Sequence, residues 1–114
     1  FRLDDEGHFI WPGFGDNLRV LEWILKRCAG EVDAQETAIG YVPYAEDINL
    51  EGLDYTISEG HKFGIEDLKS ILTVEAPYWL EDIKSIREFY AKIGEAMPKE
   101  LLAEVEAMEQ RLKA

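Results

Sequence analysis

The feature that most constrains the fold is a long apolar stripe in the last third of the chain. Apolar residues recur there at alternating spacings of four and three, at Trp79, Ile83, Ile86, Tyr90, Ile93 and Met97. This spacing places them on one face of an α-helix, and Pro77 is tolerated in its first turn. Gly94 and Pro98 interrupt the helix, and the same spacing then resumes at Leu101, Val105, Met108 and Leu112. The pattern predicts two consecutive helices whose apolar faces pack into a core.

Three shorter segments complete the predicted architecture. Asp16-Asn17 is a typical helix start, and the helix that follows should end before Gly30, with its apolar face formed by Leu18, Leu21, Leu25 and Cys28. "GIEDLKSIL" (64–72) predicts a short helix, and "TAIGYVPY" (37–44) a short strand that Pro43 restricts to an edge or an end. We therefore expect mostly helices with short β-strands: a loop and helix in 1–30, a strand and loops in 31–63, and helices in 64–114.

Charge and composition exclude several classes of function. The chain carries 24 acidic and 12 basic residues, a net charge of -12 that repels nucleic acids and anionic membrane surfaces. No apolar run approaches the roughly 18 residues of a membrane-spanning helix. The single cysteine, Cys28, cannot form an internal disulfide, fits a reducing compartment and is expected to be a buried, inert thiol. We expect a cytoplasmic protein without nucleic-acid or membrane partners. Because the chain does not begin with Met, we also expect an upstream part.

The sequence shows no catalytic machinery of its own. His8 and His61 are the only histidines, and neither has a Cys or a second His at metal-ligand spacing. Acidic clusters such as Asp4-Asp5-Glu6 and Glu81-Asp82 are most simply solvated faces in so acidic a chain. A phosphate-binding glycine loop, a dinucleotide fingerprint and a nucleophile elbow are all missing. We therefore predict neither a catalytic residue nor a metal ligand.

The first 17 residues, "FRLDDEGHFIWPGFGDN", combine three phenylalanines and a tryptophan with glycines and a proline. Rings held apart on such a loop form a slot for a planar ring, and stacking on a nucleobase contributes about 1–3 kcal/mol per base. The Asn17 carboxamide, with a donor and an acceptor, can distinguish the edges of bases. Two other interpretations remain open: the rings cap a hydrophobic core at a turn, or they dock an acidic, non-enzymatic module onto another protein.

The segment "FRLDDEGHFIWPGFGDNLRVLEW" resembles the guanine-binding segment of the GTP-dependent phosphoenolpyruvate carboxykinase family. "IGYVP", "NLEGL" and "YWLEDIKSIREFY" are also similar to that family, so the resemblance extends over most of the chain. It implies the C-terminal part of the α/β carboxykinase nucleotide-binding domain.

The resemblance also implies roles for individual residues. Phe1 and Phe14 would stack on guanine, Phe9 would close the slot, and Asn17 would hydrogen-bond the base in a turn completed by Gly15 and Asp16. The whole enzyme would be a monomeric lyase that converts oxaloacetate and GTP to phosphoenolpyruvate, CO2 and GDP. Its Mn²⁺ and Mg²⁺ ligands would lie upstream, and the isolated segment would be inactive.

Overall fold

A computed structural model describes residues 1–114 as a chain of helices and very short strands, which confirms the mixed α/β composition. The chain divides into two compact units: the first comprises Phe1–Glu36 and Tyr41–Thr73, and the second comprises Thr37–Gly40 and Val74–Ala114. The main elements, in chain order, are α1 (Leu18–Cys28), β1 (Gln35–Thr37), β2 (Gly40–Val42), β3 (Thr56–Ser58), β4 (His61–Lys62), α2 (Ile65–Leu72), α3 (Ala76–Ile93) and α4 (Lys99–Lys113). None of these helices combines the length and apolarity needed to cross a membrane.

Helix α1 has the predicted bounds but buries a different face. It ends at Cys28, and Gly30 follows with φ 74°, a left-handed conformation that glycine adopts without strain. Trp23 is its one buried residue, whereas the predicted apolar face of Leu18, Leu21 and Leu25 is exposed. Cys28 is exposed as well, so the expectation of a buried thiol is wrong. Periodicity shows that a helix is amphipathic but does not show which segment covers its apolar face.

The first unit is held together by a cluster that draws on α1, α2 and the turn at Ala45–Asp47. Its buried members are Trp23, Ala45, Ile48 and Leu68. Part-buried side chains pack around them, including those of Trp11 and Phe63. The predicted helix at 64–72 is confirmed as α2, which begins where the backbone N–H of Gly64 donates to Asp67 Oδ2 over 2.9 Å.

The strand predictions were only partly correct. A single strand was expected over 37–44, but β1 and β2 form a two-stranded sheet whose turn falls at residues 38–39, inside that range. The Thr37 hydroxyl donates to the Gly40 carbonyl over 2.6 Å and accepts from the Ile39 N–H, and Gly40 adopts φ 121°. Strands β3 and β4 pair antiparallel in a segment expected to be loop. Strands of two or three residues are too short to produce an alternating pattern.

The second unit is the predicted helix pair. Helix α3 carries Pro77 in its first turn and ends at Ile93 before Gly94, which has φ 67°. Its Ile83 is 1% exposed, in a cluster with Val105 and Leu112 of α4. The two helices are also joined by ion pairs, because Arg87 Nη2 donates to the carboxylates of Glu106 and Glu109. Met97, the last residue of the predicted stripe, is buried but lies beyond the helix end.

The ion pairs of Glu109 predict a pH-dependent stability. The hydrogen bond from Arg87, and then that from Lys113, lower the pKa of Glu109 from 4.5 to about 2. Because the folded-state pKa is depressed, this contribution is complete above pH 4.5 and disappears as the pH falls through about 2. Glu109→Gln should lower the melting temperature at neutral pH, and its difference from the parent should vanish toward pH 2.

Thermal melts followed by circular dichroism at several pH values measure this difference. Glu104→Gln makes the same charge change at an exposed position of the same helix and is the control. A difference that does not depend on pH, or an equal loss in the control, would contradict the assignment.

Candidate functional site

The first ten residues form a short hairpin that carries Phe1, a predicted stacking ring, and Phe9, the ring predicted to close the slot. Leu3 and Phe9 face each other in an antiparallel bridge, and the Asp4 N–H donates to the His8 carbonyl over 2.9 Å. Gly7, with φ 87°, makes the turn possible. The hairpin therefore holds Phe9 on a defined backbone.

Asp4 organises the tip of this hairpin. Its Oδ1 accepts the backbone N–H groups of His8 and Glu6 at 2.8 and 3.0 Å, and its Oδ2 lies 3.1 Å from His8 Nδ1. These bonds, led by that from the His8 backbone, lower the pKa of Asp4 below its usual 3.8. Asp4 thus has a structural role that the interpretation as a solvated acidic cluster missed. The signal was available, since Asp side chains commonly bond the backbone two residues ahead in turns.

The three phenylalanines predicted to bind a base are exposed. Phe1 and Phe9 are in edge-to-face contact, with ring centroids 5.7 Å apart and planes at 79°. Phe1 is fully exposed, Phe9 is 54% exposed and Phe14 is 99% exposed. Phe14 lies on the following turn and makes no ring contact with either of the others. The core-capping interpretation is therefore wrong for these three rings, and it holds only for Trp11.

Phe14 occupies a backbone conformation that costs free energy. It is the one non-glycine residue with positive φ, 47°, and it follows Gly13 at φ 70°. A side chain in this left-handed region costs about 1 kcal/mol or more, and such strain is concentrated at functional sites. The reversal begins the 3₁₀ turn Phe14–Asn17 and leaves the Phe14 ring in solvent.

Gly15 and Asp16 follow Phe14 in the 3₁₀ turn, and the Asp16 carboxylate is paired with Arg19. Arg19 Nε donates to Asp16 Oδ1 over 2.9 Å, and Arg19 Nη1 donates to the carbonyls of Asn49 and Glu51, each at 2.8 Å. Arg19 therefore ties the turn to a distant loop. A Cβ added to Gly15 would meet nothing within 4 Å, so packing does not require glycine there.

Asn17 directly precedes helix α1, but its side chain makes no capping hydrogen bond to that helix. Instead its Oδ1 accepts a hydrogen bond from Trp11 Nε1 at 2.8 Å. The Trp11 ring packs edge-to-face on Phe63, with centroids 5.6 Å apart. The carboxamide is thus attached to the first hydrophobic cluster through Trp11.

Comparison with known proteins establishes the family of this chain. The family model for the phosphoenolpyruvate carboxykinase C-terminal P-loop domain, in its GTP-dependent form, matches residues 1–111. The chain belongs to the GTP-dependent phosphoenolpyruvate carboxykinase family. The resemblance inferred from the sequence is therefore confirmed.

The curated relatives in the carboxykinase family are much longer than the segment that this chain matches. The chain is 44% identical to phosphoenolpyruvate carboxykinase [GTP] of Paenarthrobacter aurescens over 98% of its length. It is 45% identical to that of Neocallimastix frontalis over 96%, and 44% identical to that of Chlamydia trachomatis over 99%. It spans only 17 to 18% of these carboxykinases.

The supporting contacts of three side chains in this carboxykinase segment were not predicted from the sequence, although Trp11 was already placed among the rings of the proposed slot. Trp11 holds Asn17, Arg19 holds the turn, and the Tyr55 hydroxyl donates to the Phe9 carbonyl over 2.7 Å. Only the Asp16–Arg19 spacing, one helical turn, carries a local signal. The contacts of Arg19 and Tyr55 with distant backbone depend on the tertiary fold.

The exposure and strain of Phe14 predict an unusual stability profile. Phe14→Ala removes a solvated ring, so the free energy of unfolding should change by no more than about 0.5 kcal/mol. Phe14→Gly also relieves the positive φ and should be about 1 kcal/mol more stable than Phe14→Ala. Denaturant unfolding of the chain measures both.

Phe63→Ala provides the contrasting control, because its ring packs on the first cluster and its loss should cost several times more. Substantial destabilisation by both Phe14 variants would show that this ring belongs to the core.

Proposed function

We propose that residues 1–17 bind the guanine base of GTP in a GTP-dependent phosphoenolpyruvate carboxykinase. The observation that carries this proposal is the exposure of the Phe1, Phe9 and Phe14 rings on the segment that matches the family. Exposed aromatic rings are unfavourable in water, and stacking on a base offsets that cost by about 1–3 kcal/mol per base. Strain retained at Phe14 supports a role beyond folding.

Base recognition assigns separate roles to the rings and the turn. The rings supply affinity without discrimination, because every nucleobase has a face on which to stack. Asn17 supplies the choice, because it belongs to the same turn as Phe14 and its carboxamide is held in one orientation by Trp11. Gly15 and Asp16 line the base as part of this turn.

In the proposed reaction, oxaloacetate is decarboxylated and the γ-phosphate of GTP is transferred, which gives phosphoenolpyruvate, CO2 and GDP. The role of this segment is positioning: holding the base fixes the γ-phosphate relative to the acceptor. The chain contains no phosphate-binding glycine loop, and its net charge of -12 opposes binding of a triphosphate by these residues alone. The groups that act on the phosphates and on oxaloacetate would then lie elsewhere in a longer polypeptide.

The residues described do not fit the divalent metals that such an enzyme would use. No group of three or more His, Cys, Asp or Glu side chains is arranged to hold a metal ion. His61 Nε2 instead lies 2.9 Å from Asp67 Oδ1 beside helix α2. We therefore assign no step through Mn²⁺ or Mg²⁺ to this segment. A monomeric, cytoplasmic enzyme remains our proposal on the family resemblance.

The exposed apolar face of α1 supports the proposal that a longer protein surrounds this segment. Leu18, Leu21 and Leu25 are between 52 and 71% exposed on one helix face. Such a stripe is unfavourable in water, and the chain spans only 17% of its curated relatives. We propose that the remainder of the same polypeptide covers it.

The second candidate function, an acidic module that docks onto another protein, rests on the same exposed rings. The sequence before Phe1 in the gene discriminates between the two. A glycine-rich loop ending in Lys and Thr or Ser, together with metal-binding His and Asp, supports the enzyme. An open reading frame that starts near Phe1 supports the module.

The isolated 114 residues should form no phosphoenolpyruvate, because they lack a phosphate-binding loop and a metal-binding cluster. A coupled assay with oxaloacetate, GTP and Mn²⁺ measures this, with the complete carboxykinase as the positive control. Turnover by the isolated chain above a no-protein blank would contradict the assignment of the chemistry to other parts of the enzyme.

In the complete enzyme, Phe14→Ala should weaken GTP binding. Loss of about 1–3 kcal/mol of stacking raises the KM for GTP about 5- to 150-fold, with a smaller effect on kcat at saturating GTP. The KM for oxaloacetate should not change. Steady-state kinetics with each substrate varied in turn measure these constants.

Phe89→Ala is the matched control, because it removes an exposed ring of the second unit. It should leave the KM for GTP unchanged. An unchanged KM for GTP in Phe14→Ala would remove Phe14 from the base site.

A further inference from the structure

The hydrogen bond between Trp11 and Asn17 fixes which end of the Asn17 carboxamide is available. The bond joins Trp11 Nε1 to Asn17 Oδ1 over 2.8 Å. An indole N–H donates and never accepts, so only the oxygen of the carboxamide can be its partner. Turning the amide by 180° would place its NH2 group, a donor, against the indole donor. The orientation thus follows from chemistry and not from the assignment of O and N atoms.

Trp11 is able to impose this orientation because it is itself held in place. Its ring is part-buried, contacts Phe63 edge-to-face and packs against the cluster that contains Trp23 and Leu68. Asn17 is exposed and makes no capping bond to helix α1. The rotation of an exposed carboxamide is therefore determined by a side chain anchored in the core.

We propose that Trp11 is a positioning residue for base selection: it holds the Asn17 carboxamide so that its Nδ2 donor faces the base. This inference rests on the proposed function of the segment. A donor at that position matches a purine with a carbonyl oxygen at position 6, as in guanine and hypoxanthine, and opposes the 6-amino donor of adenine. Trp11 acts through Asn17 and does not contact the base edge.

The first test is a double-mutant cycle in the complete carboxykinase. Trp11→Phe removes the indole N–H and keeps a ring against Phe63. It should lower the ratio of kcat/KM for GTP to that for ATP about 2- to 10-fold, as expected for one hydrogen bond, mainly through the KM for GTP. Asn17→Leu should lower the same ratio. In the Asn17→Leu background, Trp11→Phe should cause no further fall, because the residue through which it acts is gone.

Controls separate positioning from general damage to the fold. Trp79→Phe makes the same chemical change in the second unit and should leave the ratio intact. In Trp11→Phe, kcat/KM for ITP should fall as much as kcat/KM for GTP, since both bases carry the 6-oxygen. A merely structural role for Trp11 would lower kcat/KM for all three nucleotides equally.

The second test leaves Trp11 unchanged. Asn17→Asp keeps an oxygen for the indole N–H but replaces the base-facing donor with an acceptor. Asn17→Asp should therefore abolish the preference for GTP. If the amide oxygen faced the base instead, Asn17→Asp would retain that preference. Repulsion between the new negative charge and the triphosphate is common to GTP and ATP and cancels in the ratio.

The outcomes are distinguishable. The positioning role is overturned if Trp11→Phe keeps the full GTP preference, if it lowers that preference equally with and without Asn17, or if Asn17→Asp still prefers GTP. None of these results contradicts the proposed base site as long as Phe14→Ala raises the KM for GTP. If both Phe14→Ala and Asn17→Leu leave GTP use unchanged, the proposed function itself fails.

Discussion

Packing of the Trp11 ring against Phe63 is the contact on which the candidate site depends. It attaches an aromatic segment, most of which is exposed, to the buried cluster of the first unit. From that anchor the indole N–H reaches Asn17, while Tyr55 holds the Phe9 carbonyl. Three phenylalanine rings can then remain in solvent without disordering the backbone that carries them, which is the arrangement a stacking site requires.

Much of the helical fold follows from local patterns, and the rest depends on contacts distant in sequence. Periodicity and the glycines at 30 and 94 were sufficient for α1, α3 and α4. The sequence predicts one strand where β1 and β2 form a sheet, because the turn between them depends on the Thr37 hydroxyl and on φ 121° at Gly40. The sequence predicts burial of the apolar face of α1 that is exposed in the structure, since periodicity does not identify the surface that covers a helix.

The predicted site residues come from the family motif, which does not indicate the contacts that support them. The aromatic loop and the Asn17 carboxamide indicate a base-binding slot, and the family resemblance implies the individual roles of Phe1, Phe9 and Phe14. The turn at Asp4 carries a local sequence signal, but the bond from Trp11 to Asn17 and the bonds from Arg19 to distant carbonyls appear only in the folded chain. These supports account for the tolerance of an exposed, strained Phe14, whose conformation lowers stability while it serves the proposed function.

The most direct measurement is a crystal structure of the complete carboxykinase with GDP bound. We expect guanine in van der Waals contact with the rings of Phe1, Phe9 and Phe14, with the Asn17 amide nitrogen toward the 6-oxygen and the Trp11 bond intact. A base bound elsewhere, with these rings buried against protein, would contradict the account.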